Sequence, residues 1–546
     1  MIVPRPKVIE YAENRLYLKQ EMKVLVSDDY GKKALQVLNL LTTEIDVVFS
    51  SGFNYSVEFV HSSEEFKMNE AYRMECSQEK AVLIYGDERG ARNAVVSLVG
   101  LIERDDIGFF IPACHVSDYP DGYYRGILID LAREYIPLKK IKSIIVQMAK
   151  AKYNKLHLHL HDSEHYSIQS DVYPELNQTT IQQYTKCQLK EVVEYAQLFS
   201  LDIIPEIEMP AHGLFITEKL NELKCQTHND PPSNWAMCVG NETTYDILAN
   251  LIKEVSDIFP GECIHIGADE LEFCDVHQED RLWPTWDDCE ACQELSRREG
   301  LDGKREQFYY FIRRIYETVT GLGKKMMMWN DGIDISSSPN IPRDILIQFW
   351  RVAAEGRGPV QGCSMQRFLE EGFHVVNSDY PETYLDLYMK EENIRTWHPK
   401  ARPETSDEMK HGVIGGEMCA WGPNEHYAYT LPSAIYMFGD KLWGYTDLNP
   451  TMEYSRAITK AVLGLNTPSE FDVFEAFGCI LLPRTKDGLE QAYTNPNSEK
   501  LEHTLIVLQS LIDQQASGRD VAMEYISIIR SLMSNKCGGI GNERVH

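Results

Sequence analysis

Short apolar runs alternate with longer amphipathic segments through the central part of the chain. Eight of these runs have the length and composition of buried strands; they span residues 124–130, 155–161, 201–207, 263–267, 325–329, 345–350, 374–377 and 413–419. The segments between them place apolar residues at helical spacing, most clearly in 139–153 and 189–199. Eight strand–helix repeats within residues 120–449 predict an α/β fold, a (β/α)8 TIM barrel.

The segments on either side of this repeat have different patterns. Residues 1–119 contain short alternating strands (15–18, 22–27, 72–76 and 81–85) and two helical patterns (30–42 and 90–104), which predict a small α+β domain. After residue 450 the pattern is helical, in 452–463, 469–477, 501–515 and 519–534, and the chain ends in a glycine-rich tail that we expect to be frayed. We therefore divide the chain into 1–119, 120–449 and 450–546.

Polar or aromatic residues follow almost every strand of the predicted barrel. They are Asp162, Glu206, Glu208, His212, Asp269, Glu270, Trp329, Trp350, Tyr384, Asp386 and Trp421. The carboxyl ends of all strands in a (β/α)8 barrel lie on one face, where the catalytic groups of such enzymes are found. The sequence therefore predicts an active site on this face.

Asp269 and Glu270 are adjacent carboxylates at the end of the fourth strand, after a small Gly-Ala pair. Adjacent Cα atoms are about 3.8 Å apart, so both acids can reach one small ligand. Repulsion between them raises the pKa of one and leaves the other charged. Such a pair can donate a proton and stabilise a neighbouring positive charge. A solvated pair at a strand end is the alternative, and these residues alone leave the two interpretations about equal.

Composition restricts the class of protein. Hydrophobic residues make up 43% of the chain and the formal net charge is −29, which argues against nucleic acid or anionic membranes as partners. No run approaches a membrane span, and residues 1–7 lack the apolar core of a signal peptide. Thirteen scattered cysteines favour a reducing compartment. We expect a soluble cytoplasmic protein, and a homodimer is left open.

Six motifs in order resemble one enzyme family. They are 124–130 (YRGILID), 156–162 (LHLHLHD), 204–212 (IPEIEMPAH), 265–270 (HIGADE), 384–386 (YLD) and 415–422 (GGEMCAWG). Together they resemble the family 20 glycoside hydrolases, the β-N-acetylhexosaminidases. The fourth motif departs from that pattern at Ala268, where a second glycine is usual. The resemblance covers roughly residues 1–445, including the α+β domain.

This resemblance implies an exo-acting enzyme that removes terminal N-acetylglucosamine or N-acetylgalactosamine with retention. Its catalysis would be assisted by the substrate's own 2-acetamido group and would need no cofactor. Glu270 would be the general acid and base, Asp269 would orient the acetamido N–H, and Tyr384 would hold its oxygen. The resemblance further implies sugar contacts from Trp329, Trp350, Trp421, Arg125 and Asp386, with support from Asp162, Glu208 and His212. From the residues alone, an ordinary core aromatic is the favoured interpretation of each Trp, and a barrel-closing ion pair is almost as well supported for Arg125 as sugar binding.

Two departures from the family pattern concern specificity. Pro423 stands two positions after Trp421, where relatives commonly carry an acidic residue that binds outer sugar hydroxyls, and Glu208 stands where Asp is usual. Either Asn424 or Glu425 compensates, or the enzyme discriminates weakly between the two epimeric sugars. We favour weak discrimination.

Two other functions remain open at this point. His157, His159 and His161 alternate along one strand and share a face, as the metal ligands of an amidohydrolase-type barrel do. Histidines in such a pattern more often have a structural role than a metal-binding one. The other alternative is a carbohydrate-binding relative without catalysis, for which an acid beside a charge stabiliser would be unnecessary.

A separate Cys/His pattern follows the two acids. Cys274, His277, Cys289 and Cys292 have the spacing C-x2-H-x11-C-x2-C, which is typical of a four-ligand structural zinc site. Four reduced, unconnected side chains are an equally favoured interpretation.

Overall fold

The computed structural model describes most of the first 444 residues. Described are residues 2–227 apart from 44 and 46, then 235–271, 285–335, 339–350, 364–380, 382–385, 391–400, 405–422 and 431–444, with a few helical positions between 505 and 530. The helices expected in 452–463 and 469–477, and most of those expected in 501–515 and 519–534, lie outside the described residues.

The N-terminal part forms one eight-stranded sheet with two helices. Its elements are β1 (Val8–Tyr17), β2 (Glu21–Val26), α1 (Asp29–Leu41), β3 (Val48–Ser51), β4 (Val57–His61), β5 (Tyr72–Cys76), β6 (Ala81–Tyr85), α2 (Glu88–Leu101), β7 (Glu103–Arg104) and β8 (Phe109–Asp118). The strand order is β1-β8-β5-β6-β4-β2-β3, with β7 paired to β8. The α+β prediction for this part is confirmed.

Both helices of this sheet begin at an aspartate cap. The Asp28 carboxylate accepts the backbone N–H of Gly31, and Asp87 accepts that of Gly90, each at 2.8 Å, which satisfies a helix-start donor that would otherwise lack a partner. Four strands, β3, β4, β7 and β8, have no counterpart in the sequence prediction. β8 contains Pro112 and polar residues, and its place in the sheet is set by pairing with β1 and β5, which its local sequence does not indicate.

The barrel and its helices follow. The strands are β9 (Tyr124–Asp130), β10 (Lys155–His159), β11 (His161–Asp162), β12 (His165–Tyr166), β13 (Asp202–Glu206), β14 (Cys263–His265), β15 (Lys325–Trp329), β16 (Leu346–Phe349), β17 (His374–Asn377) and β18 (Val413–Ala420). The α-helices are α3 (Leu138–Lys150), α4 (Lys186–Leu198), α5 (Leu214–Lys219), α6 (Glu242–Ile258), α7 (Glu290–Glu299), α8 (Gly303–Gly321), α9 (Met365–Glu370), α10 (Glu391–Thr396) and α11 (Leu431–Gly444). Short 3-10 turns span Pro174–Asn177, Asn221–Leu223, Thr285–Asp288 and Met409–Gly412.

Eight of these strands close into a parallel barrel in the order β10-β13-β14-β15-β16-β17-β18-β9. The TIM-barrel prediction is therefore confirmed, and every predicted barrel strand ends within two residues of the observed one. The strands are almost entirely buried, as in all seven positions of β9, because helices cover a barrel on the outside while side chains fill it within. β11 and β12 form a small separate hairpin after β10.

The barrel is joined to the N-terminal sheet by buried ion pairs at the amino ends of its strands. Arg125, at the start of β9, pairs with Glu70 and donates to the carbonyls of Gly122 and Lys152 at 2.6 and 2.8 Å. The Lys152 ammonium lies 2.8 Å from Asp118. These cations and carboxylates are all at least 95% buried. No helix in the described part of the chain combines the length and hydropathy of a membrane span.

Candidate active site

The two adjacent acids lie where the chain leaves β14, on a backbone with several positive φ angles. Gly267, Ala268 and Glu270 have φ of +65°, +71° and +52°. A Cβ on Gly267 would lie 1.6 Å from the Glu208 carboxylate, so this position requires glycine for both its conformation and its space. Ala268 and Glu270 adopt a conformation that L-residues with a side chain avoid, and such strain accumulates at functional sites.

Both carboxylates face His212, which follows β13. The His212 Nε2 atom lies 3.8 Å from Asp269 and 3.5 Å from Glu270. The Glu270 backbone N–H donates to Asp331 at 2.9 Å, which fixes the turn against the end of β15. The two acid side chains remain 14% and 26% exposed. The two carboxylates are therefore in contact with the protein on one side and accessible to solvent on the other.

Asp269 resists ionisation in the free protein. Burial, together with Asp331 and Glu270, raises the pKa of Asp269 to about 8 although His212 opposes the shift. Burial also raises the pKa of Glu208 well above its ordinary value, as do the charge of Asp269 and a hydrogen bond with it. Neither Asp269 Oδ1 nor Glu208 Oε2 accepts an N–H or hydroxyl donor from the described residues. A carboxyl proton shared by the two acids would satisfy both oxygens.

A chain of alternating charges supports this pair. His212 Nδ1 lies 3.1 Å from Asp162, and Arg133 lies 2.5 Å from Asp162 and 2.8 Å from Asp130. Burial disfavours the imidazolium, but Asp162 and Asp269 raise the pKa of His212 to about 9. His212 is therefore a cation at neutral pH. It supplies positive charge beside both acids.

Aromatic side chains from four strand ends form the opposite wall. Trp350 stacks on Tyr384 with ring centroids 6.2 Å apart, and Trp421 lies 5.9 Å from Trp329 and 6.4 Å from Tyr384. The Trp350 Nε1 donates to Asp331 at 3.1 Å. Trp421 is half-buried, and its Nε1 has no acceptor among the described residues. This wall therefore has a flat apolar surface and one N–H donor, Trp421 Nε1, without an acceptor among the described residues.

These contacts form a closed ring round the carboxyl end of the barrel. In order the members are Glu270, Asp331, Trp350, Tyr384, Trp421, Arg133, Asp162 and His212, and His212 again faces Glu270. The predicted convergence of strand-end residues is thus found for all of them that the structure describes, with Trp329 beneath the ring. The Trp329 Nε1 donates to Glu206 at 2.8 Å.

Arg125 is the exception, and the expectation that it binds sugar hydroxyls is wrong. It starts β9 and is 1% exposed, so it lies at the opposite end of the barrel, in the ion pair with Glu70 described above. Arg133 occupies the place expected of it, three residues after the end of β9, with its guanidinium 5.7 Å from the Trp421 ring. Sequence reasoning missed Arg133 and Asp331. Strand direction could have found both, because each follows the carboxyl end of its strand.

The two histidines of β10, His157 and His159, are paired with carboxylates. His157 lies 2.8 Å from Glu417 and 3.3 Å from Glu206, while His159 lies 2.5 Å from Glu206 and 3.1 Å from Asp162. Despite burial, these acids raise the pKa values of His157 and His159 to about 9 and about 10. His161 instead bonds the Glu208 carbonyl at 3.1 Å, so the three histidines do not form the metal site of the amidohydrolase alternative.

Several predicted residues lie outside the described residues: Asp386, Pro423, Asn424, Glu425, Cys274 and His277. The other two residues of the predicted zinc set, Cys289 and Cys292, are described. They lie beside Cys225 and Cys238, two cysteines that the sequence pattern did not connect with them.

Comparison with protein families gives two matches in this chain. Residues 123–436 match the model described as glycosyl hydrolase family 20, catalytic domain, and residues 1–119 match glycosyl hydrolase family 20, domain 2. A curated relative, the beta-hexosaminidase subunit beta of Rattus norvegicus, is 28% identical over 402 residues, which cover 69% of each chain.

Solved structures have the same architecture. The exo beta-N-acetylglucosaminidase of Vibrio harveyi, in complex with N-acetylglucosamine, aligns with a TM-score of 0.72 at 20% identity and covers 88% of this chain and 77% of its own. The chitobiase of Flavobacterium johnsoniae aligns with a TM-score of 0.72 at 20% identity and covers 97% and 91%. At this identity the likeness establishes the fold.

Proposed function

The chain belongs to glycosyl hydrolase family 20, and on that premise we propose that it is an exo-acting β-N-acetylhexosaminidase. It removes a terminal N-acetylglucosamine or N-acetylgalactosamine, with retention of configuration and with the substrate's acetamido group as the nucleophile. The observation that carries the proposal is the open side of the Asp269–Glu270 pair within the closed ring of contacts. Relatives whose names specify beta-hexosaminidase activity support it.

Asp269 would act on the acetamido group. Among the described residues no N–H donor reaches its oxygen Oδ1, and an acetamido N–H would supply one. As the acetamido oxygen attacks the anomeric carbon, positive charge develops on the group and favours the ionised form of Asp269. The proton that the raised pKa keeps on the acid pair in the free protein would then be released to solvent when substrate binds. Tyr384, beside Trp350 and Trp421, would hold the acetamido oxygen.

Glu270 would be the acid and then the base. It is the more exposed of the two acids, as expected for a group that must reach the leaving oxygen and later a water molecule. Its position is fixed by the bond from its backbone N–H to Asp331, so rotation of the side chain alone brings the carboxyl to the substrate.

Arg133 would take the role that Arg125 cannot. Asp130 and Asp162 hold its guanidinium at the rim beside Trp421, where it can donate to outer sugar hydroxyls. Asp386 remains a proposed second contact. The three tryptophans would pack against the apolar face of the sugar and the acetamido methyl group.

The setting of the protein is also a proposal. The reaction as written needs no cofactor and takes a carbohydrate as its partner, without nucleic acid or membrane. A cytoplasmic location is supported by the nine described cysteines that carry no disulfide. Fractionation of cells that express the tagged chain tests the location, and sedimentation tests whether it forms a homodimer.

The decisive experiment is turnover of aryl β-N-acetylglucosaminides with leaving groups of graded acidity. Glu270→Gln should lose about 10²–10⁴-fold on poor leaving groups and much less on good ones, while Asp269→Asn should lose activity on all of them. A thiazoline analogue of the cyclic intermediate should inhibit the wild-type enzyme, and an aryl glucoside without the acetamido group should not react. Binding without turnover would favour the non-catalytic alternative, and rapid turnover of the plain glucoside would refute substrate assistance.

A further inference from the structure

Four cysteines converge beside the active site. Cys225 follows the 3-10 turn Asn221–Leu223, Cys238 lies thirteen residues later, and Cys289 and Cys292 lie at the start of α7. All four side chains are buried and none is in a disulfide. Their sulfur atoms all lie within 4.8 Å of one another, and Cys238 Sγ is 3.6 Å from the sulfurs of both Cys289 and Cys292.

The sulfur spacing is that of a tetrahedral metal site. Zinc–thiolate bonds of about 2.3 Å place the four sulfurs of a tetrahedron about 3.8 Å apart, close to the separations found here. A disulfide would bring two sulfurs to about 2.0 Å. We propose that Cys225, Cys238, Cys289 and Cys292 bind one structural Zn²⁺ ion.

The position of Cys289 favours the thiolate that zinc needs. Cys289 is the N-cap of α7, a helix of ten residues, and the partial positive charge at a helix start stabilises thiolates. The two-residue gap between Cys289 and Cys292 places both sulfurs on one side of the first helical turn, as in C-x2-C zinc motifs.

The surrounding backbone is built to hold these segments together. A Cβ on Gly240 would lie 2.3 Å from the Ala291 backbone and 2.4 Å from the Cys292 nitrogen, so the chain after Cys238 is pressed directly against the C-x2-C turn. The Gln307 side chain donates to the Cys292 carbonyl at 3.0 Å, and Trp286 Nε1 donates to the Met237 carbonyl at 3.0 Å. Side chains from α8 and from the turn before α7 thus bond the backbone on both sides of the cluster.

The cluster lies behind His212. Met237, next to Cys238, donates to the Pro210 carbonyl at 2.8 Å, and Gly213 donates to the Trp235 carbonyl at 2.9 Å. The Trp235 ring lies 4.3 Å from the His212 ring, centroid to centroid. Zinc would therefore tie the segment that supports His212 to the segment that follows Asp269 and Glu270. Its role is to fix the shape of the site, and it takes no part in bond cleavage.

This ligand set differs from the set that the sequence spacing indicated. Cys289 and Cys292 are shared by the two sets, but Cys225 and Cys238 replace Cys274 and His277. The two sets make opposite predictions for single substitutions, and metal content does not depend on whether the proposed hydrolase activity is correct.

The test measures zinc in protein purified from zinc-containing medium with no metal added afterwards. About one equivalent per chain is expected in the wild type and in three controls, Cys274→Ser, His277→Ala and Cys263→Ala, the last a buried cysteine of β14 outside the cluster. Cys225→Ser and Cys238→Ser should each lose most of the zinc. Loss of zinc in Cys274→Ser or His277→Ala, with retention in Cys225→Ser, would overturn the assignment.

A second measurement uses the wild-type protein and therefore does not depend on whether the variants fold. X-ray absorption at the zinc edge should give four sulfur neighbours at about 2.3 Å. Chelation should expose four additional reactive thiols and lower the Tm. Zinc below about a tenth of an equivalent with no loss of stability on chelation, a nitrogen ligand in the absorption spectrum, or two disulfides by mass spectrometry would each refute the proposal.

Discussion

Replacement of Asp269 by asparagine should make the protein more stable at alkaline pH while it abolishes the proposed function. In the folded protein, burial and neighbouring acids raise the pKa of Asp269 from 3.8 to about 8. At about 1.36 kcal/mol for each pH unit, ionising this carboxyl costs the folded protein up to roughly 6 kcal/mol more than it costs the unfolded chain. Asparagine resembles the protonated acid and cannot ionise, so the variant avoids this cost.

The sign of this pH dependence follows from the number of protons bound to the folded protein and to the unfolded chain. Below about pH 4 Asp269 is protonated in both states, and variant and wild type should be similar. Between about pH 4 and about pH 8 the unfolded chain has released the proton that the folded protein keeps, so the stability of the wild type falls as the pH rises. The advantage of Asp269→Asn should therefore grow across this window and become constant above it.

Thermal unfolding of both proteins across this pH window measures the difference. Asp202→Asn is a matched control with the opposite sign. Burial disfavours the charge of Asp202, but Lys155 and Arg89 hold the pKa of its carboxyl below the ordinary value, so its removal should destabilise the protein once the pH exceeds that ordinary value. A Tm of Asp269→Asn that is equal to or below that of the wild type at about pH 8, or a difference that does not change with pH, would refute the reasoning.

Three further changes test other parts of the site. Arg133→Ala should reduce kcat/KM by roughly 10- to 150-fold, because a charge-assisted hydrogen bond of about 1.5–3 kcal/mol is lost. Arg125→Lys should lower the Tm and leave KM unchanged. The reverse pattern would contradict the assignment of the two arginines. Ala268→Gly should leave the free energy of unfolding unchanged or raise it by up to about 1 kcal/mol, since relief of the positive φ offsets the greater chain entropy of glycine. Denaturant unfolding measures this difference. A loss of stability above about 1 kcal/mol would count against strain at this turn. The native enzyme should hydrolyse the aryl glycosides of both epimeric sugars with similar kcat/KM, and a strong preference that survives Glu425→Ala would place selection elsewhere in the pocket.

The barrel could be predicted from sequence because its signal is local and repeated. Each strand is a short apolar run bounded by a helix, and the closed sheet follows from eight such units in order. The strand-end residues were found by the same rule, since the carboxyl ends of parallel strands share one face. The prediction for Arg125 was wrong because Arg125 precedes the apolar part of β9 and so lies at the amino end of the barrel, while Arg133 follows the strand.

Other features depend on contacts between distant segments. Spacing alone joined Cys289 to the nearest cysteine and histidine, and nothing local indicates that the segment after β13 brings Cys238 within 3.6 Å of it. The adjacent acids predicted one raised pKa, but not that burial and Asp331 would raise the pKa of Asp269, the acid expected to carry the charge. Side-chain burial in the folded chain decides this, and no sequence pattern gives it.

The buried ion pairs between the barrel and the N-terminal sheet limit how the chain can be divided. If the sheet were removed, Arg125 would lose Glu70 and Lys152 would lose Asp118, and the buried surface around both cations would be exposed to water. In the intact chain, breaking one such buried pair by a single substitution typically costs about 3–5 kcal/mol, a large fraction of the stability of a whole domain. The excised barrel should therefore fail to fold in isolation, and in the intact chain the two parts should melt in a single calorimetric transition. The N-terminal sheet is, in this sense, a covalently attached folding partner that the catalytic barrel cannot exchange or discard.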